Sequence, residues 1–227
     1  MLINCDIGEQ TLANIKDDAL MKLIDIANIA CGAHAGDKES VAYYTKLAKK
    51  YQVKVSAHLS YPDKRNFGRV VLDIDIKTLL NSLDEQYALM PEVKTLKLHG
   101  ALYNEANINK SLALSLIKWA QSAGIREVLT PYKSCICEIC EEEGLHVLNE
   151  VFIDRRYIYD NGSLKLSARS NKDALITNVQ EAKYQYENFL KEKIQIDGKF
   201  YTLKADTACI HSDAPNALEM AKLLCSR

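Results

Sequence analysis

The stretch IDIANIACGAHAGDKESVAYYTKLAKKY, Ile24 to Tyr51, decides how the chain folds. It opens with a short apolar run, passes a histidine set among glycines and alanines, and ends where Val41, Tyr44, Leu47, Ala48 and Tyr51 recur on one helical face. That is a buried strand, a tight turn and an amphipathic helix. Gly32 and Gly36 permit turns that other residues resist, and Asp37 stands where a helix N-cap is wanted. His34 therefore falls at the C-terminal end of a strand.

The same alternation runs along the chain. Helical spacing marks 76–90, 109–123 with Asn109 as its cap and Gly124 beyond its end, 133–143, 172–192, and 214–225 with Asp213 as its cap and Pro215 in its first turn. Between these lie the apolar runs LINC, KVSAH, TLKLH, REVLT, HVLNE, YTLKA and TACIH. Strands alternating with helices call for a parallel sheet, either doubly wound or closed as a β/α barrel. No linker, repeat or low-complexity tract interrupts the order, so residues 1–227 are expected to form a single domain.

Composition narrows the partners. Lys and Arg number 29 against 30 Asp and Glu, so no basic excess points to nucleic acid or to an anionic membrane. No apolar run approaches the roughly 20 residues of a membrane span, and MLINCDIGEQ carries no signal pattern. Seven cysteines, an odd number, fit a reducing compartment; the expectation is a cytoplasmic protein with a small-molecule substrate.

The polar residues take their meaning from the strand pattern. Asp6, His34, His58, His99, Asp154 and His211 each end or just follow a predicted strand, the end at which ligands and catalytic groups collect in α/β proteins. Four titratable rings at one mouth are suited to acid–base or metal chemistry. His146 begins a strand instead and is expected to be structural. Lys97, a lone charge in an apolar strand, and Arg155 are expected to anchor a carboxylate or phosphate. Gly36 and Gly100 are expected to let a ligand approach the backbone, near helix N-termini beside Asp37 and Asp213. The turn-rich segment SYPDKRNFGR follows His58 and should cover the pocket mouth, with Tyr61, Phe67 and Arg69 closing over substrate; Tyr103 and Tyr157 are divided between packing and substrate contact.

Two further sets stay open. Asp6, His34 and His58 suit either a metal ion or a metal-free acid–base site, since ligands from three strands have no local signature. Cys135, Cys137 and Cys140 in CICEIC do not share one helical face and read as incidental, and Cys31 reads as a buried thiol.

The blocks NCDIGE (4–9), ANIACGAHAGD (27–37), SAHLSYPDKRNFGR (56–69), KLHGALYN (97–104), EVFIDRRY (150–157) and CIHSDAPNA (209–217) together resemble the LamB/YcsF family. The resemblance implies a seven- or eight-stranded parallel β/α barrel of the glycoside hydrolase/deacetylase type. It further implies ATP-dependent opening of 5-oxo-L-proline to L-glutamate, performed with separate 5-oxoprolinase subunits B and C. Asn4 and Glu9, in the first block, are expected to contact substrate. The chain departs from the family pattern at Ala33, Leu59, Val70 and Ser212, which replace a phenylalanine, a proline, an arginine and a glycine. None of these removes a histidine or acid of the motifs.

No phosphate-binding loop of the G-x-x-x-x-G-K-[ST] or G-x-G-x-x-G kind is present, so ATP is expected mainly on a partner subunit, with the ring-opening half of the reaction here. A metal-dependent deacetylase or other amide hydrolase on the same barrel is the alternative enzyme, and a non-catalytic binding subunit the third reading.

Overall fold

The computed structural model describes residues 1–10, 12–160 and 162–225. The chain runs β1 (Leu2–Ile7), α1 (Ile15–Leu20), β2 (Ile26–Ala30), α2 (Lys38–Tyr51), β3 (Lys54–Leu59), α3 (Ile76–Tyr87), β4 (Thr95–Leu98) and α4 (Gly100–Ala106). It continues through α5 (Lys110–Ser122), β5 (Glu127–Thr130), α6 (Cys135–Glu142), β6 (His146–Phe152), β7 (Tyr157–Asp160) and β8 (Ser163–Leu166). The last elements are α7 (Val179–Phe189), β9 (Lys193–Ile196), β10 (Lys199–Thr202), β11 (Thr207–His211) and α8 (Ala217–Leu224).

Seven of these strands close into a barrel in the order β1-β11-β6-β5-β4-β3-β2, and every pair in it is parallel. The β/α barrel reading holds, with seven strands. YTLKA is not an eighth: β10 pairs antiparallel with β9 outside the barrel, and β7 pairs likewise with β8. A short apolar run looks the same in a barrel strand and in a hairpin, and only closure of the sheet separates them.

Helix ends follow local chemistry. Asp37 accepts from Ser40 N–H while the Ser40 hydroxyl bonds the Asp37 backbone, a reciprocal capping box at the start of α2. Asn109 caps α5 through Leu112 N–H. Two expected starts are displaced. α7 begins after Asn178, which accepts from Gln180 and Glu181 N–H; α8 begins after Asn216, so Asp213 caps no helix. Asp213 instead pairs with Arg69 at 3.0 Å.

Inside the barrel the alternation of side chains sets depth. Ile26, Leu129 and Leu148 form a buried apolar cluster of their own. Two residues further along β2 and β6, on the same faces, come Asn28 and Glu150, both buried. The interior is thus apolar toward its floor and charged toward the C-terminal ends of the strands.

Candidate functional site

A pocket of ≈ 570 Å³ opens at those strand ends, with Asp6, His58, Lys97, His99 and His211 among the residues that line it. At its base the Lys97 ammonium lies 2.8 Å from Asp6 Oδ1 and 2.9 Å from Glu150 Oε1. Asn28 donates to Asp6 Oδ1 and to Asn4 Oδ1, at 2.9 and 2.8 Å, and Asn4 donates to Thr207 Oγ1. Tyr103 donates its hydroxyl hydrogen to Glu150 Oε2 at 2.8 Å. Burial alone would discharge Lys97, but Asp6 and Glu150 hold its pKa well above the usual lysine value. A buried ammonium between two carboxylates is the charge centre of the barrel.

Beside it stand three rings around one carboxylate. Glu9 Oε1 lies 3.0 Å from His34 Nε2, 3.1 Å from His99 Nδ1 and 3.5 Å from His58 Nε2. The outward partners assign the protons of two rings. His99 Nε2 faces the Phe67 carbonyl at 3.0 Å, an acceptor only, so that nitrogen carries hydrogen. Burial lowers the His99 pKa and keeps that ring neutral, so its Nδ1 offers a lone pair to His58 Nε2, 3.0 Å away. His58 Nδ1 faces the Lys97 carbonyl at 3.2 Å and also carries hydrogen. Two donating nitrogens make His58 an imidazolium.

Charge agrees with this assignment. Burial alone would lower the His58 pKa, yet the Asp6 charge and hydrogen bonds with Asp6 and Glu9 raise it to about 9. Burial lowers His99, and lowers His34 to about 4. Against their own burial, Asp6 is held well below the usual carboxylate range by His58 and Lys97, and Glu9 by His34 and His58.

A third group sits across the pocket. His211 Nδ1 lies 2.9 and 3.0 Å from the two Asp154 oxygens, and the His211 backbone N–H donates to Oδ2 at 2.9 Å. Asp154 is buried, and its pKa is lowered against that burial by His211, whose ring and backbone N–H both hydrogen-bond the carboxylate. The carboxylate fixes the ring with hydrogen on Nδ1, which leaves Nε2 free as an acceptor.

Asp6, His58, His99 and His211 share the pocket wall as the strand-end pattern predicts, with Asp154 directly behind His211. His34 and Glu9 form the layer beneath, and Ser60 Oγ lies 3.0 Å from His34 Nδ1. The SYPDKRNFGR loop lies over this layer: the Phe67 ring meets His34 and His99 edge-on at 5.4 Å. Tyr61 turns away, donating to Glu105 Oε2 at 2.6 Å. Arg69, Tyr103, Tyr157 and Arg155 line the pocket.

Gly100 lines the pocket while Gly36 does not, and at both the chain itself leaves no room for a side chain. A Cβ at Gly36 would lie 2.6 Å from the Ala30 carbonyl oxygen, and one at Gly100 would lie 2.4 Å from that of Gly68. His146 is exposed and pairs with Glu127 at 2.9 Å, away from the site. Cys31 donates to the Ile29 carbonyl and burial pushes its thiol up to about 12, as suits a structural residue. Cys137 and Cys140 are buried on α6. Of the four departures from the family pattern, Leu59 and Ser212 are buried and Val70 is 48 % exposed.

Glu150, Asn28, Ser60 and Arg169 were not singled out by sequence. Glu150 and Asn28 had a usable signal, since each is a lone polar residue in an apolar strand, as Lys97 is. Ser60 and Arg169 lie in loops without one.

One donor set among the described residues groups Glu9, His34, His58 and His99, with ligand atoms within 4.8 Å of one another; Asp6, Cys209 and His211 form a second. In the first, the His34 and His99 rings stack at 3.8 Å with 3° between their planes. Lone pairs in parallel planes cannot both meet one ion head-on, so this arrangement would hold an ion through Glu9, His58 and one stacked ring. Glu9, rather than Asp6, is the carboxylate that His34 touches.

Comparison with known proteins agrees with this architecture. The A subunit of 5-oxoprolinase from Staphylococcus haemolyticus (strain JCSC1435) is 38% identical over 233 residues, covering 96% of this chain and 91% of that one. The A subunit of 5-oxoprolinase from Haemophilus influenzae (strain PittEE) is 32% identical over 217 residues, covering 91% and 87%. Among solved structures, the lactam utilization protein from Thermus thermophilus superposes with a TM-score of 0.85 at 27% identity, covering 99% of this chain and 95% of that one. An uncharacterized protein, ATU2773 from Agrobacterium tumefaciens C58, shares the fold alone, with a TM-score of 0.61 at 9% identity over 97% of this chain and 80% of that one. The LamB/YcsF family profile matches residues 1–227, and this chain belongs to the LamB/YcsF family.

Proposed function

We propose that this chain is the ring-opening subunit of an ATP-dependent 5-oxoprolinase that converts 5-oxo-L-proline to L-glutamate, with the nucleotide handled mainly by partner subunits B and C. The observation that carries the reading is the pairing, across one pocket, of a cationic acid with an oriented neutral base. A five-membered lactam resists hydrolysis, and transfer of a phosphoryl group to its oxygen makes the ring carbon electrophilic. His211 Nε2, fixed by Asp154, takes a proton from the attacking water. His58 delivers a proton, through or beside His99, to the ring nitrogen as the C–N bond breaks, because an amine leaves only when protonated. The product of that step is an acyl phosphate, and a second water releases phosphate and glutamate. Lys97 and Asp6 set the field in which negative charge develops on the carbonyl side.

The likeness to relatives that are named as one lettered component of 5-oxoprolinase supports the partnership. The test is glutamate formation from 5-oxoproline and ATP, with and without subunits B and C. The expected result is little or no ATP turnover by the lone chain and 5-oxoproline-stimulated ADP release by the assembled subunits. Robust ATPase activity of the lone chain would contradict it.

A second reading, a metal-dependent amide hydrolase acting alone, draws on the Glu9–His58 grouping, where a bound ion would polarise a carbonyl. Amide hydrolysis without ATP or partners, together with a stoichiometric metal by elemental analysis, would favour it. A third, a non-catalytic binding subunit, requires glutamate formation by the assembled subunits to survive loss of His58 and His211.

A further inference from the structure

Arg155 is a buried cation without a carboxylate. It is 6% exposed, immediately after the Asp154 that orients His211, and its Nη2 donates to the Ser167 carbonyl at 2.6 Å. Its Nε has no hydrogen-bond partner, and among the described residues no carboxylate lies within ion-pair distance of the guanidinium. Buried charges are ordinarily paired. Burial, and then the nearby Arg169, depress the Arg155 pKa, with Asp154 and Tyr157 opposing them only in part. Folding has placed an unpaired guanidinium in a wall of the pocket, which implies that something bound there completes it.

The neighbourhood defines that partner. Arg69 and Arg169 line the same wall and share a single carboxylate, Asp213 Oδ2, at 3.0 and 3.8 Å. Asp154, the other acid nearby, already accepts from His211. Three guanidiniums therefore face two acids, one of which serves a histidine. A lactam carboxylate carries one negative charge, whereas a phosphoryl group carries nearly two and offers three acceptor oxygens. The pocket of ≈ 570 Å³ is also several times larger than a single five-membered lactam, and falls in the range that takes larger ligands.

We infer that Arg155, Arg169 and Arg69 form a phosphoryl-binding subsite in the same pocket as the His58 and His211 centres. The three guanidiniums line one pocket and carry more donors than the shared Asp213 Oδ2 and the Ser167 carbonyl use, a surplus suited to recognition of a tetrahedral oxyanion. The ligand class is a phosphoryl group, carried either by the activated lactam or by a nucleotide, and the assignment rests on the ring-opening reading above for what the phosphoryl group does there.

The test titrates the intact chain with inorganic phosphate at constant ionic strength in chloride, following heat of binding, with thermal melts to confirm folding. One phosphate per chain is expected. Arg155→Met and Arg169→Met should each weaken it at least tenfold, while Arg126→Met, at the opposite end of the barrel, should change it less than twofold. 5-Oxoproline should still bind to Arg155→Met and to the phosphate-saturated parent. A parallel titration with ATP identifies the carrier: ATP binding that is weakened by the same substitutions assigns the subsite to a nucleotide, and phosphate binding without ATP binding assigns it to the activated lactam.

No phosphate binding by the parent overturns the inference. So does an Arg155→Met chain that melts like the parent and binds phosphate equally well, or one that loses 5-oxoproline while keeping phosphate, which would make the guanidinium a carboxylate anchor. Should Arg155→Met fail to fold, the Arg169→Met titration decides by the same criterion. Phosphate binding as expected, with no glutamate formed by the assembled subunits, would instead defeat the ring-opening reading and leave the subsite standing.

Discussion

His58 Nε2 and His99 Nδ1 lie 3.0 Å apart with their rings nearly perpendicular, at 87°. The outward nitrogens of both rings face main-chain carbonyls, so one ring must carry two hydrogens, and the raised pKa of His58 against the lowered one of His99 makes it His58. Two neutral rings would leave one of these contacts without a hydrogen, and the acids Asp6 and Glu9 supply the charge that keeps His58 protonated.

This arrangement sets a pH signature. The His58 pKa rises from about 6.5 to about 9 on folding, so its stabilising contribution is fully present below pH 6.5 and is lost as pH rises through 9. The contribution is on the order of 3 kcal/mol. Denaturant midpoints measured from pH 6 to 10 should fall across that window, and His58→Gln should flatten the fall. An unchanged profile in the variant would remove the imidazolium from the argument.

Asp154 and His211 should act as one unit. Asp154→Asn and His211→Gln are each expected to cut glutamate formation by the assembled subunits by about a hundredfold or more, and the double variant by little beyond the larger single effect. Melting temperatures of the two single variants accompany the rates. Multiplicative losses in the double variant would mean the two side chains serve separate steps.

Lys97→Met should be a stability variant first. It strands Glu150 as a buried carboxylate without a cation and leaves Asp6 with His58 alone, which costs about 3–5 kcal/mol. Adding Glu150→Gln should recover part of that loss in urea titrations. By contrast Arg69→Ala, which breaks a half-exposed pair with Asp213, should cost about 1 kcal/mol or less.

Gly36→Val should lose fold stability rather than substrate contact alone. Its φ of +76° and the Ala30 carbonyl 2.6 Å from the added Cβ leave no room for a side chain, at a cost of at least about 1–3 kcal/mol. Lys38→Ala, exposed at the start of α2, should melt within about 0.5 kcal/mol of the parent. Thermal melts of both variants check the contrast.

His146→Gln completes the set. It removes an exposed pair with Glu127 at the far end of the barrel, and the rate of the assembled subunits should stay within about twofold of the parent, against the losses of about a hundredfold at His211. A comparable loss at His146 would show that strand-end position does not separate catalytic from structural histidines here.

The sequence by itself determined the strand–helix alternation and the end of the sheet at which His34, His58, His99 and His211 gather. Both depend on local periodicity and on where an apolar run stops. It also marked Lys97, because one charge in a buried strand stands out against its neighbours. Tertiary structure alone decided which groups meet. Glu9 comes to the three histidines from a segment that follows β1, Arg69 and Arg169 converge on Asp213 from loops 144 and 44 residues away in the chain, and YTLKA leaves the barrel for a hairpin. Contacts of that kind depend on barrel closure and loop path, and neither leaves a local trace in composition or spacing. The protonation of His58 is of the same origin: its charge is set by Asp6, Glu9, His99 and the Lys97 carbonyl, which only the closed barrel brings around one ring.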